Sequence, residues 1–301
     1  MKKLFQMIVM CMTALSATHA DAALKVFACE PEWGALVTEL AGDKADVYNA
    51  TTALQDPHAI QARPSLIARA RSAALLVCTG AELEAGWLPL LLRQSGNAAI
   101  QPGATGYFEA ASVVPMLEVP SRLDRADGDV HAAGNPHIQT DPHNIARVAE
   151  ALALRLALVD ASNAAYYRAR HADFSARWSS AMQRWEKQAQ PLKGVAVVVQ
   201  HKGFPYLNHW LGLKEVTTLE PKPGVEPSSA YLGEVLNTLQ QQPAKMVLRA
   251  AYSDGRASEW LSTRAHIPVV VLPFTVGGND QARDLFGLFD SSIALLLGAL
   301  K

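Results

Sequence analysis

Five histidines sit where imidazole chemistry is easily arranged. The segment GDVHAAGNPHIQTDPHN, residues 128–144, holds His131, His137 and His143 among glycines and prolines. Asn135-Pro136-His137 echoes Asp56-Pro57-His58 far upstream, and His201 follows the apolar run of residues 195–200. Imidazole is the commonest protein ligand for zinc. Proline before His58 and His137 holds the preceding residue extended and stiffens the loop, so less entropy is lost when a ligand is bound. A single loop histidine is ordinarily just solvated; the joint placement of His58, His137 and His201 makes them the candidate ligands. His131 is a loop histidine that could approach them. His143 falls in the first turn of a helix and reads as a surface residue or one that supports a ligand. His171 belongs to an apolar helical stripe and reads as packing, and His209 and His266 lie in helical or helix-end patterns.

The elements that must position these groups follow a strand–helix rhythm. Residues 24–29 form a buried-strand pattern, 31–40 a helix, 45–50 a strand, 63–72 a helix, 74–78 a strand and 84–94 a helix. Residues 103–135 are poorly patterned, with a weak strand near Val113-Val114. Asp141-Pro142 then opens a helix, Asp as N-cap and Pro at the first helical position. After a break near Asp160 a long helix covers 162–188, where Tyr167, His171, Phe174, Trp178, Ala181 and Trp185 recur on one face. At 1.5 Å per residue it spans roughly 40 Å. The rhythm restarts with strands at 195–200, 215–219, 246–248 and 269–272 and helices at 204–211, 229–241, 257–265 and 280–300. Strands alternating with helices imply parallel sheets. The fold class is therefore α/β: two parallel-sheet lobes with a long helix between them. His201, just past a strand, falls at the carboxyl edge where open α/β sheets bind ligands.

The chain has 301 residues, half of them apolar, and a net charge of −1. It can bury a substantial core, and it lacks the basic balance that nucleic-acid binding needs. Lys2-Lys3, an apolar run and Ala20-Asp21-Ala22 fit a cleaved export signal, with an apolar stretch too short for the ~20 residues of a membrane span. The division expected is 1–22 signal peptide, 23–140 first lobe, 141–190 linking helices and 191–301 second lobe. Cys29 and Cys78 both end apolar runs. In an oxidising compartment they either pair or remain two buried thiols, and the sequence leaves both open. A bridge would need the first and third strands to be neighbours.

Longer motifs add a resemblance. DPH at 56–58 with RPS at 63–65, CTGAELEAGW at 78–87, NPHIQTDP at 135–142, QHKGFPYL at 200–207 and LEPKPGVEPS at 219–228 together resemble the solute-binding proteins of zinc and manganese ABC transporters, the ZnuA-type or cluster A-I family. The similarity covers nearly all of the chain after the leader. It implies that His58, His137 and His201 bind a metal ion in the cleft between the lobes, that the long helix is a rigid backbone, and that the partner is a membrane permease. Many members carry an acidic fourth ligand after the last strand. Here the matching position is Val276 and the nearest acid is Asp280, beyond Gly277-Gly278; Asp280 is the candidate, with water as the alternative. The His-rich loop of many zinc members is not evident, since residues 103–134 hold only His131.

The expected function is a periplasmic, monomeric binding protein, not an enzyme, that captures Zn²⁺ and delivers it to an ABC permease. Three imidazoles suit zinc, whereas a carboxylate-rich site suits manganese. A zinc hydrolase is the alternative from another class, but no HExxH-type motif sets a general base beside a ligand. A surface-adhesion role finds no repeat or anchor to support it. Glu82 and Glu84 read either as a solvated helix start or as groups orienting a histidine.

Overall fold

The computed structural model describes residues 22–122, 128 and 131–301. Of the expected leader, 1–22, residues 1–21 lie outside the described residues. Among the described residues no helix is long and apolar enough to cross a membrane.

Short apolar runs become the largely buried central strands of parallel sheets, flanked by partly exposed strands. In the first half these are β1 (Leu24–Ala28), β2 (Ala45–Asn49), β3 (Leu75–Cys78) and β4 (Tyr107–Glu109). They form one parallel sheet in the order β2-β1-β3-β4. Helices α1 (Pro31–Ala41), α2 (Pro64–Ser72) and α3 (Leu88–Ser95) pack around it, each with proline in its first turn. Because β1 and β3 are neighbours, Cys29 and Cys78 meet at the sheet edge as a disulfide, Cα–Cα 4.8 Å.

Helices α4 (Pro142–Val159) and α5 (Ala164–Gln188) lead to the second sheet. Asp141 caps α4 by accepting the His143 N–H at 2.8 Å. Strands β5 (Ala196–Val199), β6 (Lys214–Thr218), β7 (Met246–Ala250) and β8 (Val269–Leu272) repeat the same parallel order, β6-β5-β7-β8. Helices α6 (Pro205–Leu211), α7 (Ser229–Gln241), α8 (Arg256–Ala265) and α9 (Leu285–Gly298) complete this half.

The long helix is fixed to both lobes. Tyr167, Phe174, Trp178, Ala181 and Trp185 are its buried face. Trp178 packs on Phe286 and Phe289 of α9 at ring separations of 4.9 and 5.5 Å, and Trp185 on Phe289 at 5.1 Å. One apolar cluster runs from Val26 and Val77 in the first sheet through these rings to Leu288 and Ile293. Edge-to-face aromatic pairs add roughly 0.5–1.5 kcal/mol each beyond their buried area.

Four expectations need correction. The third helix begins at Leu88 rather than residue 84, because Gly80, Ala81 and Glu82 all take positive φ and turn the chain first. Gly80 is required there: a Cβ would come within 2.8 Å of Glu109. The fourth strand is Tyr107–Glu109, while Val113 ends a 3-10 turn, Ala110–Val113. The closing helix begins at Leu285, not 280, with Asp284 as its cap accepting from Gly287 N at 2.7 Å. His171 is not part of the buried face of α5; it is half-buried and bonds Ser175 Oγ at 3.1 Å.

Candidate metal centre

Three histidines that are far apart in sequence converge between the lobes. His58 lies in the 3-10 turn Pro57–Ala59, opened by Asp56, which accepts the His58 N–H at 3.0 Å. Trp87 Nε1 donates to Pro57 O at 2.9 Å and pins this turn to the first lobe. His137 precedes the short turn into α4. Its N–H donates to Asn135 Oδ1 at 3.0 Å, and Asn135 in turn donates to Lys202 O at 2.7 Å in the other lobe. Tyr206 OH donates to Asn135 O at 2.8 Å across the same boundary. His201 follows β5 at the carboxyl edge of the second sheet.

The ligand atoms of His58, His137 and His201 all lie within 4.8 Å of one another. Ring centroids are 5.3 Å apart for His58–His137, 5.7 Å for His58–His201 and 5.3 Å for His137–His201. His137 Nε2 and His201 Nε2 are 3.3 Å apart. Zn–N bonds of 2.0–2.1 Å in a tetrahedron put nitrogens about 3.3 Å from each other. His58 Nε2 is buried and bonded to nothing within the protein, so its lone pair is available to a metal.

Two carboxylates fix the rings. Asp56 Oδ1 is 2.8 Å from His58 Nδ1, and Glu220 Oε2 is 2.8 Å from His201 Nδ1. Each sets its ring with the proton on Nδ1 and the Nε2 lone pair free for the metal. Burial tends to raise the Asp56 carboxyl, but the hydrogen bond and charge of His58 outweigh it and hold the group below its ordinary value. Glu220 also accepts Gly224 N at 2.8 Å, which anchors it in its loop. His137 differs: its Nδ1 is buried without a partner. Burial, then the neighbouring histidines His58, His201 and His131, push it well below the normal imidazole range. It is therefore neutral, as a ligand must be.

The other candidates fall elsewhere. Asp280 does not join the cluster. Gly278 is pressed against Pro273, where a Cβ would meet Pro273 O at 2.0 Å, and Asn279 ties the loop to α9 through Ser291 at 2.8 Å. That path carries Asp280 to the surface, where its carbonyl accepts from Arg283 Nε at 2.8 Å. The side chain from this loop that faces the cluster is Phe274, 5.3 Å from the His137 ring. His131 reaches the rim, 5.5 Å from His58. His143 stands apart, paired with Asp141 at 2.9 Å and Glu186 at 3.2 Å. Glu82 bonds Ala132 N at 2.6 Å, and Glu84 is buried rather than solvated. Sequence reasoning did not assign Asp56 and Glu220 their supporting roles. The DPH triplet carried the signal for Asp56; Glu220 is 19 residues from its histidine, and its signal was its place in the LEPKPGVEPS motif.

Two parallel α/β lobes bound by a continuous helix, with imidazoles converging from both, define a cleft-type binding protein for a metal ion. The family model described as ZnuA, zinc-uptake complex component A, periplasmic, matches residues 26–297. The high-affinity zinc uptake system protein ZnuA of Bacillus subtilis is 20% identical over 82% of this chain and 76% of its own length. The manganese ABC transporter substrate-binding lipoprotein PsaA of Streptococcus pneumoniae is 22% identical over 88% of this chain and 84% of its own. A ZnuA crystal structure superposes with a TM-score of 0.77 over 93% of this chain and all of that one, at 22% identity. The chain belongs to the ZnuA family of zinc and manganese solute-binding proteins of ABC transporters.

Proposed function

We propose that this protein captures Zn²⁺ outside the cytoplasmic membrane, in the periplasm, and delivers it to an ABC permease, with His58, His137 and His201 as ligands and the fourth position left to water. The observation that carries the reading is the donor set: three imidazoles whose ligand atoms lie within 4.8 Å of one another, one nitrogen pair at 3.3 Å, with both adjacent carboxylates engaged at Nδ1 rather than offered to the metal. Nitrogen-rich sites favour zinc over manganese on ligand chemistry and on the Irving–Williams order. Competition calorimetry with Zn²⁺ and Mn²⁺ on the metal-stripped protein tests it. Equal or tighter manganese binding overturns the zinc assignment and moves the protein to the manganese-handling side of its family.

A hydrolase would need a base free to activate the metal-bound water. Asp56 and Glu220 are committed to orienting ligands, which favours a carrier that releases its cargo unchanged. Residues 1–22 act as the export signal in this reading, and N-terminal sequencing of the protein from the periplasm should begin near Asp21 or Ala23.

A further inference from the structure

The Cys29–Cys78 bridge stands beside two buried acids that the histidine cluster does not use. Both sulfurs and a Glu84 carboxylate oxygen lie within 4.8 Å of one another. Cys29 follows β1 and Cys78 ends its neighbour β3; Cys29 N donates to Val77 O at 2.9 Å, so both side chains leave the same sheet edge. Glu84 reaches them from the turn after β3, where it accepts Thr79 N and Gly80 N at 2.7 and 3.1 Å. Glu30, next in the chain after Cys29, accepts from Thr79 Oγ1 at 3.1 Å through Oε2, while its Oε1 is buried without a donor. All four side chains are 0–3% exposed.

This is an unusual place for two carboxyls. Burial, then the charge of Glu84, drives the Glu30 carboxyl well above its ordinary value. Among the described residues no cation pairs with either acid, and buried carboxylates without one are costly. Thiolate sulfur and carboxylate oxygen are both zinc ligands. With Zn–S near 2.3 Å, a tetrahedral dithiolate sets its sulfurs about 3.8 Å apart. That is ordinary van der Waals contact, the separation two unbonded sulfurs must take once the bridge is cut.

We propose that Cys29, Cys78 and Glu84, with Glu30 beside them, become a second metal site when the bridge is reduced, one that takes a thiophilic divalent cation such as Zn²⁺ or Cd²⁺. A dithiol reductant supplies two electrons and two protons. The Sγ–Sγ bond breaks, two S–H bonds form, and the reductant closes its own disulfide. The cation then binds as both thiol protons pass to solvent. Bridge and metal are thus alternative clasps on the β1–β3 edge. Burial decides when the metal can enter: the sulfurs are closed off in the finished fold, so the site loads on a reduced chain as it folds. Soft thiolates also exclude Mn²⁺.

The full-length protein tests this after unfolding, reduction with a phosphine (water supplies the oxygen that the phosphorus takes up) and metal-free refolding. Titration with Co²⁺ separates the two sites, because thiolate ligands give a near-ultraviolet charge-transfer band that imidazole ligands do not. The reduced wild type should take up a second equivalent with that band, and the oxidised protein a single equivalent without it. Zn²⁺ should abolish the band; excess Mn²⁺ should not. Cys29→Ser and Cys78→Ser should each lose the second equivalent and keep the first. Glu84→Gln should keep the band but bind at least roughly tenfold more weakly. A reduced wild type with no band, refolded with or without the cation present, overturns the proposal. So does a second equivalent that survives both serine variants, or unchanged affinity in Glu84→Gln. The band reports sulfur alone: one bandless equivalent leaves the imidazole reading intact, whereas a band without a second equivalent counts against that reading instead.

Discussion

His137 Nε2 lies 3.3 Å from His201 Nε2, although 64 residues and the lobe boundary separate the two. His201 Nδ1 is held by Glu220, so its Nε2 is the acceptor and the His137 Nε2 proton fills the contact. A metal ion held by both Nε2 atoms would require that proton to move to the open Nδ1 of His137, and would tie the lobes by the same two atoms.

Removing any one of His58, His137 or His201 should therefore cut zinc affinity by more than the roughly 10–100-fold typical of losing an outer hydrogen-bond partner. Calorimetric titration of the alanine variants checks this. His143→Ala and Asp280→Ala should bind zinc as the wild type does, since both side chains lie outside the cluster. A large loss on Asp280→Ala would bring that carboxylate back as a ligand.

Glu220→Ala and Asp56→Ala should each weaken zinc binding by roughly 10–100-fold, the usual cost of freeing a ligand histidine from its carboxylate. Glu220→Gln should recover part of the loss, because an amide oxygen still accepts from Nδ1. Titrations of the three variants and the wild type side by side with one competitor chelator would show whether the order holds.

Acid should destabilise the metal-free protein through His137. Its folded value is depressed by burial and by its histidine neighbours, so the unfolded chain binds the extra proton first. Stability is then intact above the ordinary histidine value of about 6.5 and is lost as pH falls below it. Thermal melts from pH 7.5 down to 5 should show this decline, and His137→Gln should flatten it.

Reducing the Cys29–Cys78 bridge should cost about 4 kcal/mol on chain-entropy grounds, from a sequence separation of 49. Both sulfurs are fully buried, so reduction in the native state should be slow and the loss visible only after unfolding. Urea melts of Cys78→Ser against wild type measure it.

What was legible in the sequence was whatever repeats or recurs locally. LKVFA, LLVC, AVVV and VVVL are short, mostly apolar runs that suit the strands of a parallel sheet, and Pro-His turns mark stiff loops. β4 escaped because it is three residues long and buries only Phe108 among them. Glu84 was misread as a helix start because its burial depends on three consecutive positive-φ residues, a conformation with no periodic trace. Asp280 was placed by its distance along the chain, but a loop folded onto Pro273 and tied to α9 decides where it points.

The aromatic seam between α5 and α9 sets how an empty carrier differs from a loaded one. With Trp178 and Trp185 clasped by Phe286 and Phe289, the two halves share one spine and have little room to swing. A swing of one half against the other would have to part those rings, so what a bound metal can reshape is left to the loops that carry His58, His137 and Phe274.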